Sequence, residues 1–210
     1  LELMLAEAGD AGYKTAFFSA KEIWLHDFAG IYFEILRAVD LMDCLEGCSR
    51  SVIRELGFAP EEIPEGLRFA DYLVEENLLD ALTRREIRRL LSEMFLQNPL
   101  MDHNFAFACS MLTGSLLGYP VLEEPSKELL LGWLSGSKEA KLPALRKLGL
   151  SPSRITKYNA RHMLRSLVQA IRMGGGAGLF VAVDDLEMLI SSDSLEPIRY
   201  TKLRRDDTYE

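Results

Sequence analysis

The chain has 210 residues, of which 48% are hydrophobic and 27% are charged, which is typical of globular domains rather than disordered or fibrous chains. This length accommodates one sizeable core, or a core with an inserted subdomain. The net charge of -8 disfavours nucleic-acid binding through overall charge and leaves only a local basic face open.

The cysteine content and the apolar segments favour a cytoplasmic protein. The three cysteines are an odd number in a chain too large to need disulfides, which indicates a reducing compartment. Cys44 and Cys48 lie four residues apart without a nearby pair of histidines, so no metal site is predicted there. The most apolar long segment, 105–121, is too short and too often interrupted for a membrane span, and no secretory signal is visible.

The N-terminal residues predict a helix followed by a strand. Residues 1–8 have helical composition and run into Gly9 and Gly12, and the next seven residues, Tyr13–Ser19, have strand propensity. Tyr13 separates Gly12 from Lys14, so the Gly-Lys-Thr of a phosphate-binding loop is not formed there. The chain starts without methionine in a helical pattern, as expected for a piece of a longer protein.

Helices are predicted for most of the middle of the chain. Asp27 is predicted to cap one helix, and Thr83 with Glu86 forms a capping box for another. Thr156 is predicted to cap the long helix that runs to the glycines at 174–176. Residues 67–150 read as almost wholly helical, which favours a helical insert between two strands.

The helix after Thr83 has a basic side. It carries Arg84, Arg85, Arg88 and Arg89 opposite its apolar residues. This face could contact phosphates, but the acidic total favours an ordinary solvated helix surface.

The most informative stretch is Gly-Leu-Phe-Val-Ala-Val-Asp-Asp-Leu-Glu at residues 178–187. Its continuous apolar run, bounded by glycine, predicts a strand buried on both faces of a parallel sheet. Asp184, Asp185 and Glu187 then lie at the carboxyl end, where such sheets bind ligands, as in a Walker-B element. The alternative is a strand end before a helix, with acidic residues that complement the helix dipole.

Several separate stretches, spread over nearly the whole chain, carry a likeness to a known family. They are the strand Tyr13–Ser19, residues 178–187, and Ala-Glu-Ala-Gly at 6–9, His-Asp-Phe at 26–28, Ile-Tyr-Phe-Glu-Ile-Leu at 31–36, Leu-Gly-Trp-Leu-Ser-Gly at 131–136, Leu-Arg-Lys-Leu-Gly-Leu at 145–150 and Arg-Tyr-Thr-Lys at 199–202. Together these stretches resemble the P-loop ATP-binding proteins of bacteriophage exclusion (BREX) defence systems, which are relatives of the AAA+ and STAND ATPases.

The resemblance implies an α/β fold that is predominantly helical, with the partial parallel sheet of a P-loop NTPase core and a helical insert. Residues 1–60 and 151–210 would form the partial core, and residues 61–150 the insert. The phosphate-binding loop of the family would precede Leu1, so this segment would not be active alone.

The resemblance also implies roles for the acidic residues, with ATP and magnesium as cofactors. Asp184 would hold magnesium through a bound water. Asp185, or alternatively Glu187, would orient the attacking water and accept its proton. The family usually has aspartate followed by glutamate, and Asp185 is one methylene shorter than that glutamate.

Two functional hypotheses follow. In the first, ATP binding and hydrolysis drive a conformational switch in phage defence, with other defence proteins or further copies of the chain as partners and no membrane contact. DNA contact through the basic helix is a weaker alternative, and Arg199, Arg204 and Arg205 would act at a neighbouring nucleotide site or lie on a helix surface. In the second, the chain is a non-enzymatic helical interaction module whose carboxylates are structural.

Overall fold

A computed structural model describes residues 1–189, 200, 206 and 208, and its sheet contains two parallel strands. The strands are β1, Tyr13–Ser19, and β2, Gly178–Asp184, and their register runs from Tyr13 opposite Gly178 to Ser19 opposite Asp184. Both predicted strands are confirmed. The predicted fold class, predominantly helical α/β with a small parallel sheet, is confirmed as well.

Helices form the rest of the described fold. None of the described helices is both long and apolar enough to cross a bilayer. A π-helical turn, Ser92–Leu96, continues the fifth helix, and short 3-10 turns cover Pro60–Glu62 and Leu186–Leu189. The α-helices are α1 Glu2–Asp10, α2 Phe28–Ala38, α3 Leu41–Glu55, α4 Phe69–Glu75, α5 Ala81–Leu91, α6 His103–Leu117, α7 Glu124–Leu134, α8 Leu142–Lys147 and α9 Ala160–Met173.

Side-chain caps set the starts of α2, α3, α5 and α6, and the starts of α5 and α9 differ from the prediction. The Asp27 carboxylate accepts a hydrogen bond from the Ala29 amide and caps α2, as predicted. Helix α5 begins earlier than expected, because the carboxylate of Asp80 accepts from the Thr83 amide at 2.7 Å. Thr156 does not cap α9, because residues 156–159 form a turn that precedes the helix.

The core is centred on α3, α6 and α9. Helix α6 is the most deeply buried of the three, and its Phe105, Cys109 and Leu112 side chains are fully inaccessible. The thiols of Cys44 and Cys48 are buried in the same core as free cysteines, and burial raises the pKa of Cys48 to about 12. These thiols therefore act as small apolar side chains at neutral pH.

The end of α9 touches α3 backbone to backbone. A Cβ atom added to Gly47 would lie 2.0 Å from the carbonyl oxygen of Gly174, and one added to Gly174 would lie 2.3 Å from the carbonyl oxygen of Cys44. Both positions therefore require glycine for close packing. The glycine run that precedes β2 thus fixes where α9 ends and where the chain turns into the strand.

The two faces of the sheet are packed differently. On the inner face, Ala16 and Phe18 are buried in the main core. On the outer face, α1 contributes no buried residue, and Phe17 remains 50% exposed. Val181 of β2 is also 38% exposed, so the strand is not buried on both faces as its sequence predicts. Two strands alone leave each central residue with less cover than a larger parallel sheet gives.

Candidate active site

The parallel register brings the carboxyl ends of both strands to one edge of the sheet. Ser19, the last residue of β1, lies opposite Asp184, the last residue of β2, and the Ala20 amide donates to the Asp184 carbonyl oxygen at 3.0 Å. Asp185 follows in the left-handed region with a φ of 59°, which aspartate tolerates better than most residues. This turn directs the chain away from the sheet directly after Asp184.

The Asp185 carboxylate is held from two sides by the segment after β1. The Ser19 hydroxyl donates to Oδ2 at 2.5 Å, and the Lys21 ammonium lies 2.8 Å from Oδ1. Lys21 first, and then Ser19, lower the pKa of Asp185, with a smaller contribution from Glu187. The Asp185 side chain is 26% exposed, so solvent weakens its attraction to Lys21.

Asp184 is exposed and lacks such partners. Its Oδ1 accepts from the Asp185 amide at 2.8 Å, and none of the described cations pairs with it. The carboxylate lines a concave surface of about 460 Å³ together with Phe17 and the N-terminal turn of α1. An exposed carboxylate with free lone pairs fits a magnesium ion that keeps several of its waters.

Glu187 lies in the 3-10 turn Leu186–Leu189 that follows, and it is exposed. Its contribution to the Asp185 pKa indicates that the two side chains are close. The structure therefore brings the three acidic residues of the sequence motif to one place, with Asp185 engaged and Asp184 open to solvent.

Ser19 and Lys21 contact Asp185 at the candidate site, and sequence reasoning missed both of them. The Lys21 amide donates to the Ser19 hydroxyl at 3.0 Å, so the backbone holds the two residues in the same turn. Both follow from the parallel pairing of two predicted strands, since the residues after two such strands meet at one edge. In the sequence, the one signal for this contact was the position of Ser19 at the end of the first predicted strand.

Tyr200 anchors the loop that carries Lys21. Its hydroxyl accepts from the Leu25 amide at 2.9 Å and donates to the Ile23 carbonyl oxygen at 3.0 Å, while its ring packs edge-on against Trp24. Burial raises the pKa of this hydroxyl, which therefore stays protonated at neutral pH. A residue beyond β2 thus fixes the loop that follows β1.

The early glycines do not form a phosphate-binding loop. Gly12, with a φ of 83°, closes a turn into β1, and the Lys14 ammonium lies 2.5 Å from the Asp43 carboxylate on α3. No Gly-Lys-Ser or Gly-Lys-Thr occurs anywhere in the 210 residues. The residues present fit the magnesium side of a nucleotide site and do not supply a lysine cradle for the phosphates.

The other basic positions lie away from this edge or outside the described residues. Arg89 pairs with Glu86 and with Glu93, each at 2.5 Å. Arg199, Arg204 and Arg205 fall outside the described residues, and their predicted roles stay predictions.

Comparison with known protein families gives a match over nearly the whole chain. The model of a family described as BREX system ATP-binding protein BrxC/D matches residues 2–204. No curated protein and no solved structure matches the chain. The family match covers both strands and all of the helices α1 to α9.

Proposed function

The chain belongs to the BREX system ATP-binding protein BrxC/D family, and from this premise we propose that β2 is the Walker-B strand of a phage-defence ATPase. The observation that carries the proposal is the paired strand ends, where Asp184 is open and Asp185 is held by Ser19 and Lys21. Ligands of parallel α/β sheets bind at this edge.

Asp184 and Asp185 have different roles in this proposal. Asp184 would hold magnesium through a bound water, because its carboxylate is exposed and unpaired among the described cations. Asp185 orients the attacking water, and Glu187 is the alternative for that role. Magnesium-bound ATP would supply the phosphoryl group and the charge neutralisation that phosphoryl transfer requires.

Ser19 and Lys21 set the state of Asp185. Ser19 and Lys21 each contact one carboxylate oxygen of Asp185, and its pKa is lowered. In this state Asp185 can accept a hydrogen bond from the attacking water and so orient it, but it is a weak base. Acceptance of a proton therefore requires that at least one of these two contacts opens. The phosphates would be bound by a lysine loop outside the 210 residues, because these contain no such motif.

The helical arrangement supports a conformational switch as the output. In this proposal residues 1–60 and 151–210 form the partial ATPase core, and residues 61–150 form a helical insert. Helix α9 leads directly into β2 and packs against α2, α3 and α6. A displacement of β2 would therefore move α9, and through it α2 and α3 of the partial core and α6 of the insert.

The test is magnesium-dependent ATP hydrolysis by the complete natural protein that contains this chain. We expect Asp184→Ala and Asp185→Asn each to lower kcat by about a hundredfold, since each removes a group that acts on the transition state. Asp43→Asn is the matched control, because this exposed carboxylate pairs with a lysine away from the site. Unchanged hydrolysis in both site variants would contradict the assignment.

A second candidate function is a non-enzymatic helical interaction module. The double engagement of Asp185 by Ser19 and Lys21 favours it, since such a network can simply fasten two strand ends. Sequencing upstream of Leu1 separates the two candidates, because a complete gene without Gly-x-x-x-x-Gly-Lys-Ser/Thr would support the module.

A further inference from the structure

Helix α5 has a strongly cationic exposed side. Arg84, Arg85 and Arg88 are exposed, while Ile87 and Leu91 of the same helix are buried in the core. The helical repeat places Arg85 between the two other arginines and Leu82, which is 69% exposed. The three arginines form a cationic strip on the exposed side of α5, and Leu82 lies at its edge.

Arg84 and Arg88 converge on one aromatic ring. Their guanidinium carbons lie 5.7 and 5.1 Å from the centroid of the Tyr119 ring, and Arg88 also donates to the Tyr119 hydroxyl. Neither arginine forms an ion pair with any described residue. The two like charges beside one ring repel each other, and an external anion bound near both would offset that repulsion.

Tyr119 is a fixed platform. Its amide donates to the Gly114 carbonyl oxygen at 2.8 Å, and Gly118 ends α6 in the left-handed region with a φ of 82°. The ring of Pro120 lies so close to Gly114 that a Cβ atom there would come within 2.9 Å of it. The two arginines therefore stack on a residue that is already immobilised, which lowers the entropy lost when a ligand binds.

Apolar side chains border the cationic strip. Leu82 is 69% exposed and Leu78 is 47% exposed. The Thr83 hydroxyl donates to the Leu78 carbonyl oxygen at 3.3 Å, which holds Leu78 beside the start of α5. Arginine and tyrosine are enriched in protein–protein hot spots. The two exposed leucines add apolar surface beside them.

We propose that Arg84, Arg88, Tyr119 and Leu82 form a docking surface for a partner protein segment that carries carboxylates next to apolar side chains. Charge complementarity selects the carboxylates, which can bind the free guanidinium N–H groups in pairs. The partner's apolar side chains cover Leu82 and Leu78. Nucleic acid fits less well, because the guanidinium groups cover the ring on which a base would stack and the chain carries a net charge of -8.

The test uses a fluorescent peptide of alternating glutamate and leucine as the probe, with fluorescence anisotropy as the readout. A peptide with lysine in place of glutamate and a fluorescent duplex DNA are the two comparison ligands. The double variant Arg84→Gln, Arg88→Gln should bind the acidic peptide about tenfold more weakly or worse. The single variant Leu82→Asp should weaken binding of the acidic peptide as well.

The matched control is the double variant Arg37→Gln, Arg54→Gln. It changes the net charge by the same amount, but both of its arginines are exposed and ion-paired, to Glu34 and Glu61. Unchanged affinity in the control and weaker binding in the first pair would support the surface. Thermal unfolding of each variant shows whether its fold is retained, and the exposed positions make loss of folding unexpected.

Three outcomes would overturn the proposal. They are no binding of the acidic peptide, equal loss of affinity in both double variants, and tighter binding of duplex DNA that depends on Arg84 and Arg88. The DNA outcome would assign the surface to a phosphate backbone instead.

Discussion

The inner and outer faces of the two-stranded sheet share one backbone and differ in what covers them. Phe18 points into the main core and is 5% exposed, whereas its neighbour Phe17 points to the side of α1 and is 50% exposed. The inner face therefore contributes to stability. The outer face, which borders Asp184, contributes little to it and leaves the candidate site accessible.

The largest expected effect comes from truncating the inner phenylalanine. Phe18→Ala should lower the free energy of unfolding by about 4 kcal/mol, because it leaves a cavity beneath the sheet. Phe17→Ala, the matched change on the outer face, should cost about 1 kcal/mol or less. Urea unfolding of both variants measures the difference, and equal costs would show that the outer face is covered in solution.

A smaller loss is expected where α9 meets α3 on the inner side. Gly47→Ala should lower the free energy of unfolding by about 3 kcal/mol, because its methyl group would overlap the Gly174 carbonyl. The control is Gly9→Ala in α1, where nothing lies within 4 Å of an added Cβ and alanine favours the helix. A neutral Gly47→Ala variant in urea unfolding would mean that the two helices separate easily.

The smallest effect is expected at the strand ends. Lys21→Gln should raise the pKa of Asp185 toward its ordinary value, because the nearby cation is the main cause of the lowered pKa. In the natural protein the folded-state pKa lies below the unfolded one. The contribution to stability is therefore complete above the unfolded pKa and is lost as the pH falls through the folded pKa.

The measurement for Lys21→Gln is an NMR titration of the Asp185 carboxyl carbon. Lys14→Gln is the control, since Lys14 pairs with Asp43 and should leave the Asp185 titration unchanged. An identical Asp185 titration in the natural protein and in Lys21→Gln would remove Lys21 from the candidate site.

Local patterns predicted the strands well and the contacts between them poorly. The bounds of β1 and the apolar run of β2 follow from strand propensity and the flanking glycines. The contacts of Ser19 and Lys21 with Asp185 depend on strand register, and Ser19 lies 166 positions from Asp185 in the chain. No local pattern encodes such a contact.

The helix starts and the glycine run show the same limit. Asp80 and Thr83 are both good caps, and only the geometry shows that Asp80 accepts the amide hydrogen bond of Thr83. The sequence presents Gly174 as a helix end, but its close approach to Gly47 becomes visible only when two distant helices pack together.

The long separation of β1 from β2 also has a consequence for synthesis on the ribosome. Ser19 precedes Asp185 by 166 residues, so at about 5–20 residues per second β1 waits roughly ten to thirty seconds for its partner strand. Helices with local contacts form during this delay, before the β1–β2 pairing can form. Until then Phe18, which the folded protein buries, lacks the cover of β2.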